Sequence, residues 1–203
     1  MALLSKTDVA NLALTHLGKS NISNIDSDTR PEGKAVRQFW DPARREVLEK
    51  YDWSFARKRL TLSTADDSPP ANWTYAYALP ADMLAPRYLV GPEGYIGPKI
   101  PYEMDTSSDG LSYVLYTQLN DAILRYTFDQ TNVHMFTPTF VMAFSHRLAG
   151  YVAYALTKKK TLRDDQFATS DKLIPEARAV DQNTRQARME PLDASWVRMR
   201  EYD

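Results

Sequence analysis

Few side chains in this 203-residue chain have chemistry to offer, and their spacing limits what they can do. The three histidines, His16, His134 and His146, are not at the spacing of a helical zinc pair, and no glutamate stands between two of them as a metalloprotease requires. His16 ends an apolar helical pattern and is expected to face solvent or the helix dipole, and His146 is expected on a polar helix face. Ser145 and His146 are neighbours on a helix and point in different directions, so adjacency makes no nucleophile–base pair. Asp66-Asp67 and Asp164-Asp165 are carboxylate pairs of the kind used in acid–base or metal chemistry. A proline-rich loop and a helix start, where they fall, are places where acids act as turns and caps. Gly91-Pro92-Glu93-Gly94 carries proline where a phosphate cradle needs amides, and no G-x-S-x-G elbow occurs. The expectation is a protein without catalytic residues, cofactor or metal, and not an enzyme.

Binding is the stronger theme. Arg57-Lys58-Arg59 opens a strand pattern, Lys158 to Lys160 follows a helical one, and Arg178, Arg185, Arg188, Arg198 and Arg200 mark the C-terminal quarter. Acids are mixed among them and aromatics are not, which fits guanidinium–carboxylate contacts with protein neighbours better than a nucleic-acid groove. After Pro191 the tail runs to Ala194-Ser195-Trp196-Val197-Arg198-Met199-Arg200-Glu201-Tyr202-Asp203, too short to bury Trp196 by itself. Two readings stay open: Trp196 folds back on its own helices, or it docks into a neighbour. The partner-binding candidates are Arg185, Arg188, Trp196, Val197, Arg198, Arg200 and Tyr202.

Composition narrows the class. The length suits one domain with a smaller insertion and allows a substantial core. There is no cysteine, hence no disulfide framework or thiolate metal site, as befits folding in a reducing cytoplasm. The N-terminus lacks the apolar core of a signal peptide, and no apolar run approaches a membrane span. A net charge of -1 disfavours a protein that coats nucleic acid.

The elements follow from period. Ser5 and Asp8 stand at capping spacing, Val9, Ala10, Ala13, Leu14 and Leu17 share a face, and Gly18 suits a left-handed stop, giving a first helix over about 7–17. Thr29 and Glu32 suggest a capping box for a second helix opened by Pro31. Its apolar positions are Ala35, Val36, Phe39, Trp40, Ala43, Val47, Leu48 and Tyr51, with Arg44 among the residues left for other faces. Pro42 predicts a kink near Trp40-Asp41, or a break capped by Asp41. After Asp52-Trp53-Ser54-Phe55-Ala56, residues 57–62 alternate as a strand. The loop 63–72 is a tip. Further strands are expected at residues 73–79, 86–90, 100–104, 113–117 and 122–128, the last two forming a hairpin across Gln118 to Asp121. Thr137 and Pro138 open a third helix with Val141, Phe144, Leu148, Ala149, Val152, Ala153 and Leu156 on one face, ending at Lys158–Lys160. A fourth spans about 164–189 with Phe167, Leu173, Ala177 and Val180 inward and a kink at Pro175.

The fold class is therefore α+β, a four-helix core with an antiparallel β-region inserted between helices two and three. Residues 1–62 and 137–190 form the helical body, 63–136 the β-region, and 191–203 an extended C-terminal arm.

Four pieces, in order, carry a resemblance. They are the Leu17-Gly18 turn; the Trp53-Ser54-Phe55-Ala56 helix end with its basic residues and strand; the Tyr75-Ala76-Tyr77-Ala78-Leu79-Pro80-Ala81-Asp82 strand; and Leu124–Phe128 followed by Phe136–Phe140 and the helix with His146-Arg147-Leu148-Ala149. Together they resemble the head-to-tail adaptor (connector) proteins of tailed bacteriophages, the tail tubular protein A-like family, over about residues 5–190. The resemblance implies a structural virion protein of the neck, assembled in the host cytoplasm. It would form a homo-oligomeric dodecamer ring between the portal protein and the tail nozzle or tube protein. Double-stranded DNA would pass through without specific binding, in genome retention and ejection, and no membrane is involved. A head-completion stopper or tail-completion protein, and more remotely a tail-associated hydrolase, stand as alternatives.

Overall fold

Sequence and local physics meet first at the helix ends. The structure, a computed structural model, describes residues 4–90 and 100–183. Helix α1 (Lys6–His16) starts in the expected capping box: Asp8 N–H donates to Ser5 Oγ at 3.1 Å and Ser5 N–H donates to Asp8 Oδ2 at 2.8 Å. Gly18 ends it at φ +65°, a conformation glycine adopts without Cβ strain.

Helix α2 (Pro31–Glu49) departs from expectation at its start. Its capping residue is Arg30, with no side-chain cap, so the Thr29–Glu32 box does not form. The loop carboxylate of Asp28 organises the turn instead, accepting the Arg30 N–H at 2.8 Å and the Arg30 guanidinium at 2.7 Å. A Cβ on Gly33 would stand 2.6 Å from that of Asp28, so this close approach needs glycine. The helix runs on through Pro42 without a break; Asp41, rather than capping a new helix, holds Arg44 at 3.0 Å.

The chain then makes a 3-10 turn, Ser54–Ala56, and enters the β-region. Strands β1 (Arg57–Thr61), β2 (Tyr75–Ala78), β3 (Met83–Val90), β4 (Tyr102–Thr106), β5 (Tyr113–Thr117) and β6 (Ile123–Phe128) make two antiparallel three-stranded sheets, ordered β1-β6-β3 and β2-β5-β4. The expected β5–β6 hairpin is therefore absent. Between Gln118 and Ala122 the chain crosses from one sheet to the other, because each strand is the buried centre of its own sheet. Tyr77 and Leu115 from one sheet and Leu89, Leu124 and Tyr126 from the other share an apolar core. The alternate positions of β6, Arg125 and Thr127, are also buried.

Helix α3 (Pro138–Thr157) returns the chain to the helical body. Thr137 caps it and Pro138 opens it, as expected. It is the central helix, packed against α1, α2 and α4, with Phe140, Ala143, Phe144, Leu148, Ala149, Val152 and Ala153 all buried. The Trp53 and Phe55 rings close on Phe140 at 5.1 and 4.9 Å, and Trp53 Nε1–H donates to the Val47 carbonyl at 2.9 Å.

Lys158, at φ +60°, turns the chain directly into α4, Lys160–Asn183 in the described residues. The fourth helix thus opens at Lys160 instead of Asp164, and the lysine run joins two helices instead of ending one. It is unbroken at Pro175. Its buried residues are Gln166, Ser170, Ile174, Ala177 and Asp181; of the residues expected inward, Ala177 is buried, Leu173 packs on the helical core and Phe167 on Tyr151, while Val180 is 47% exposed. The fold is α+β as expected, four helices with two small antiparallel sheets between the second and third. No helix among the described residues is long and apolar enough to cross a membrane.

Candidate partner-docking surfaces

The histidines come together in a way their spacing conceals. His16 stacks on His146, ring centroids 3.8 Å apart and planes 11° from parallel. His16 Nε2 lies 3.0 Å from Ser145 Oγ, and His146 Nδ1 lies 2.7 Å from Gln166 Oε1. The cluster ties α1, α3 and α4, and both histidines are half-buried in it, His16 in the last turn of α1. Ser145 Oγ donates to the Met142 carbonyl at 2.9 Å, which commits its proton within α3. The contact with His16 then has Nε2–H as donor, an arrangement for holding helices together and not for deprotonating a nucleophile. Ser145 is fully buried. Burial, and then the neighbouring His146, pull the His16 imidazole down to about 4. Periodicity finds helix faces but not which faces meet, so nothing in the sequence marked this pair.

A second arrangement joins the helical body to the β-region, and it is polar. The Arg87 guanidinium on β3 donates to the carbonyls of Glu49 at 2.9 Å and Tyr51 at 2.7 Å, at the C-terminal end of α2. Its Nε–H donates to Thr127 Oγ1 at 2.8 Å. Beside it Asp52 accepts Arg57 and Arg125, each at 2.9 Å. Burial would raise the Asp52 carboxyl, but the Arg57 hydrogen bond and the Arg125 and Arg57 charges hold it below the ordinary range. Where the chain leaves the β-region, Arg44 and Arg45 both grip Asp129, and Arg44 also reaches the Gln130 carbonyl at 2.7 Å. Arg44 is 1% exposed, correcting the expectation that it serves another face of α2. Both crossings between the two parts are thus clamped by arginine–carboxylate contacts.

These ties occupy cations that the sequence left free for neighbours. Arg57 is held by Asp52; Lys58 meets Asp82 at 2.5 Å and lies over the Phe128 ring; Arg178 stacks over Tyr51 at 5.0 Å. Arg59 remains exposed on β1, an edge strand where Leu60 is also exposed. The tail candidates Arg185, Arg188, Trp196, Val197, Arg198, Arg200 and Tyr202 lie outside the described residues.

Two concavities among the described residues bear on binding. One, of about 460 Å³, lies between α2 and β3 and is lined by Arg45, Ala81, Asp82, Met83, Leu84 and Asp129. Its carboxylates are occupied: Asp82 by Lys58 and the Tyr126 hydroxyl, and Asp129 by Arg44 and Arg45. The other, of about 230 Å³, is an apolar groove between the start of α3 and the later turns of α4, lined by Pro138, Thr139, Met142, Leu173, Glu176 and Ala177. No group of three or more metal-ligating side chains occurs among the described residues. Comparison with protein-family models and with curated proteins returned no match.

Proposed function

We propose that this chain is a structural subunit of a tailed-bacteriophage neck, a head-to-tail adaptor that assembles as a ring between the portal and the tail and lengthens the channel for DNA. The observation that carries the reading is the combination of the ordered sequence resemblance with an α+β architecture of the kind that resemblance implies. The Trp53-Ser54-Phe55-Ala56 element packs its rings onto α3, and a double-sheet insertion separates α2 from α3. A closed ring needs two different surfaces per subunit, related by a rotation that closes. The exposed edge of β1 and the α3–α4 side of the helical body supply two surfaces of different chemistry. The near-neutral chain suits a passage that must not hold DNA, since each phosphate contact would add salt-dependent drag.

Electron microscopy of the purified protein mixed with a cognate portal tests this. The expected result is a twelve-fold ring stacked coaxially on the portal. Absence of any portal-bound density at micromolar concentrations overturns the reading.

A further inference from the structure

The groove between α3 and α4 has an apolar floor without a described cover. Along α4 the positions Leu173, Ala177 and Val180 follow helical spacing, yet only Ala177 is buried; Leu173 is half-buried and Val180 exposed. Met142 of α3, on the opposite wall, is 40% exposed, and Met135 just before α3 is 52% exposed. At about 230 Å³ the groove falls below the roughly 300–1,000 Å³ usual for small-molecule sites, and it offers Glu176 as its one charged group. Glu176 makes no salt bridge to a described residue. The dimensions and lining suit one large apolar side chain accompanied by a cation.

We infer that the groove takes Trp196 of the same chain, with Arg198 set against Glu176. Reach permits it. The described part of α4 ends at Asn183, about 9 Å of helix beyond Ala177 at a rise of 1.5 Å per residue. Thirteen further residues bring the chain to Trp196, an extended reach of up to about 45 Å, ample for a return to the groove. Chemistry supports it as well. Trp196 and Val197 are adjacent apolar residues in the tail, and Arg198 and Arg200 follow at the spacing that places a guanidinium near the rim as the indole enters.

The choice of the chain's own tail over a second copy rests on area and concentration. An aromatic side chain buries about 150–250 Å², far short of the roughly 1,000 Å² that sustains association between molecules. A short tether supplies an effective concentration on the order of millimolar.

The chain has no cysteine, so paired cysteines report one contact cleanly. The full-length double variant Glu176→Cys/Arg198→Cys is oxidised with dilute copper–phenanthroline at low micromolar protein and run without reductant. The expected result is rapid formation of an intrachain disulfide, with monomer mass and altered mobility, slowed at least about tenfold when Trp196→Ala is added. Equal rates with and without Trp196 mean random collision of a tether, and disulfide-linked dimers mean that the groove takes a second copy's arm. Either outcome overturns the inference, as does absence of any disulfide. Circular dichroism of each variant confirms that the helical body is intact. No phage component enters this assay, so its failure leaves the ring on the portal to stand or fall separately.

Discussion

His16 and His146 show how two residues of modest reputation become a structural clasp. Stacked at 3.8 Å, with one ring bonded to Ser145 and the other to Gln166, they join three helices. The consequence for stability has a definite sign. The His16 imidazole is held at about 4 in the folded chain against 6.5 when free. The unfolded chain therefore binds a proton that the folded chain refuses between those values. Stability from this group is complete above pH 6.5 and is lost as pH falls toward 4. Partial exposure of the ring limits the loss to about 1–2 kcal/mol. Urea midpoints at pH 7 and pH 4.5 should show it, and His16→Gln, which keeps a donor for Ser145, should flatten the difference by that amount.

At the scale of elements, α3 and α4 are set by how closely they approach. A Cβ on Gly150 would come within 2.7 Å of the Phe167 ring, so the ring occupies space that a larger residue would claim. Gly150→Ala should displace Phe167 from its edge-on contact with Tyr151 and its place beneath Arg147, lowering stability by about 1–3 kcal/mol despite the better helix propensity of alanine. Thermal denaturation followed at 222 nm measures it.

The elements themselves were legible in the sequence. Ser5–Asp8, Thr137-Pro138 and Gly18 announced helix ends through local hydrogen bonding and backbone conformation, and the aromatic element around Trp53 announced a core. What period alone misplaced was pairing. Two strands joined by a short connection read as a hairpin, and only the need to bury both faces of β5 and of β6 sends them to different sheets. Arg44, buried, and Arg87, half-buried, were equally hidden, because a guanidinium taken from water is justified by carbonyls and carboxylates brought from far along the chain.

Among the described residues, one large apolar core in the helical body and two smaller ones in the β-region are joined by a largely polar seam. The helical body and the paired sheets each bury their own side chains, and besides Leu84 of β3, which packs on the helical core, the contact between them is made by Arg87, Arg125, Arg57 and Asp52 on one side and Arg44, Arg45 and Asp129 on the other. Arg87 closes the carbonyl end of α2 with one fork-shaped group. Arg87→Met preserves bulk but takes the guanidinium from both carbonyls, leaving that of Tyr51 with the Trp53 N–H at 3.1 Å. It should cost about 2–3 kcal/mol in urea unfolding. Arg87→Lys should recover little, since a single ammonium cannot span the same acceptors.

The chain leaves the helical body at Arg57 and returns at Thr127, and these two residues face each other across one pair of strands. Departure and return are therefore only about 5 Å apart. The chain thus enters and leaves the double-sheet excursion at one place, with Arg87 of β3 as a further tie to the end of α2. An excursion with its ends this close can change length at the far sheet, β2-β5-β4, without altering the spacing of the helices that carry it.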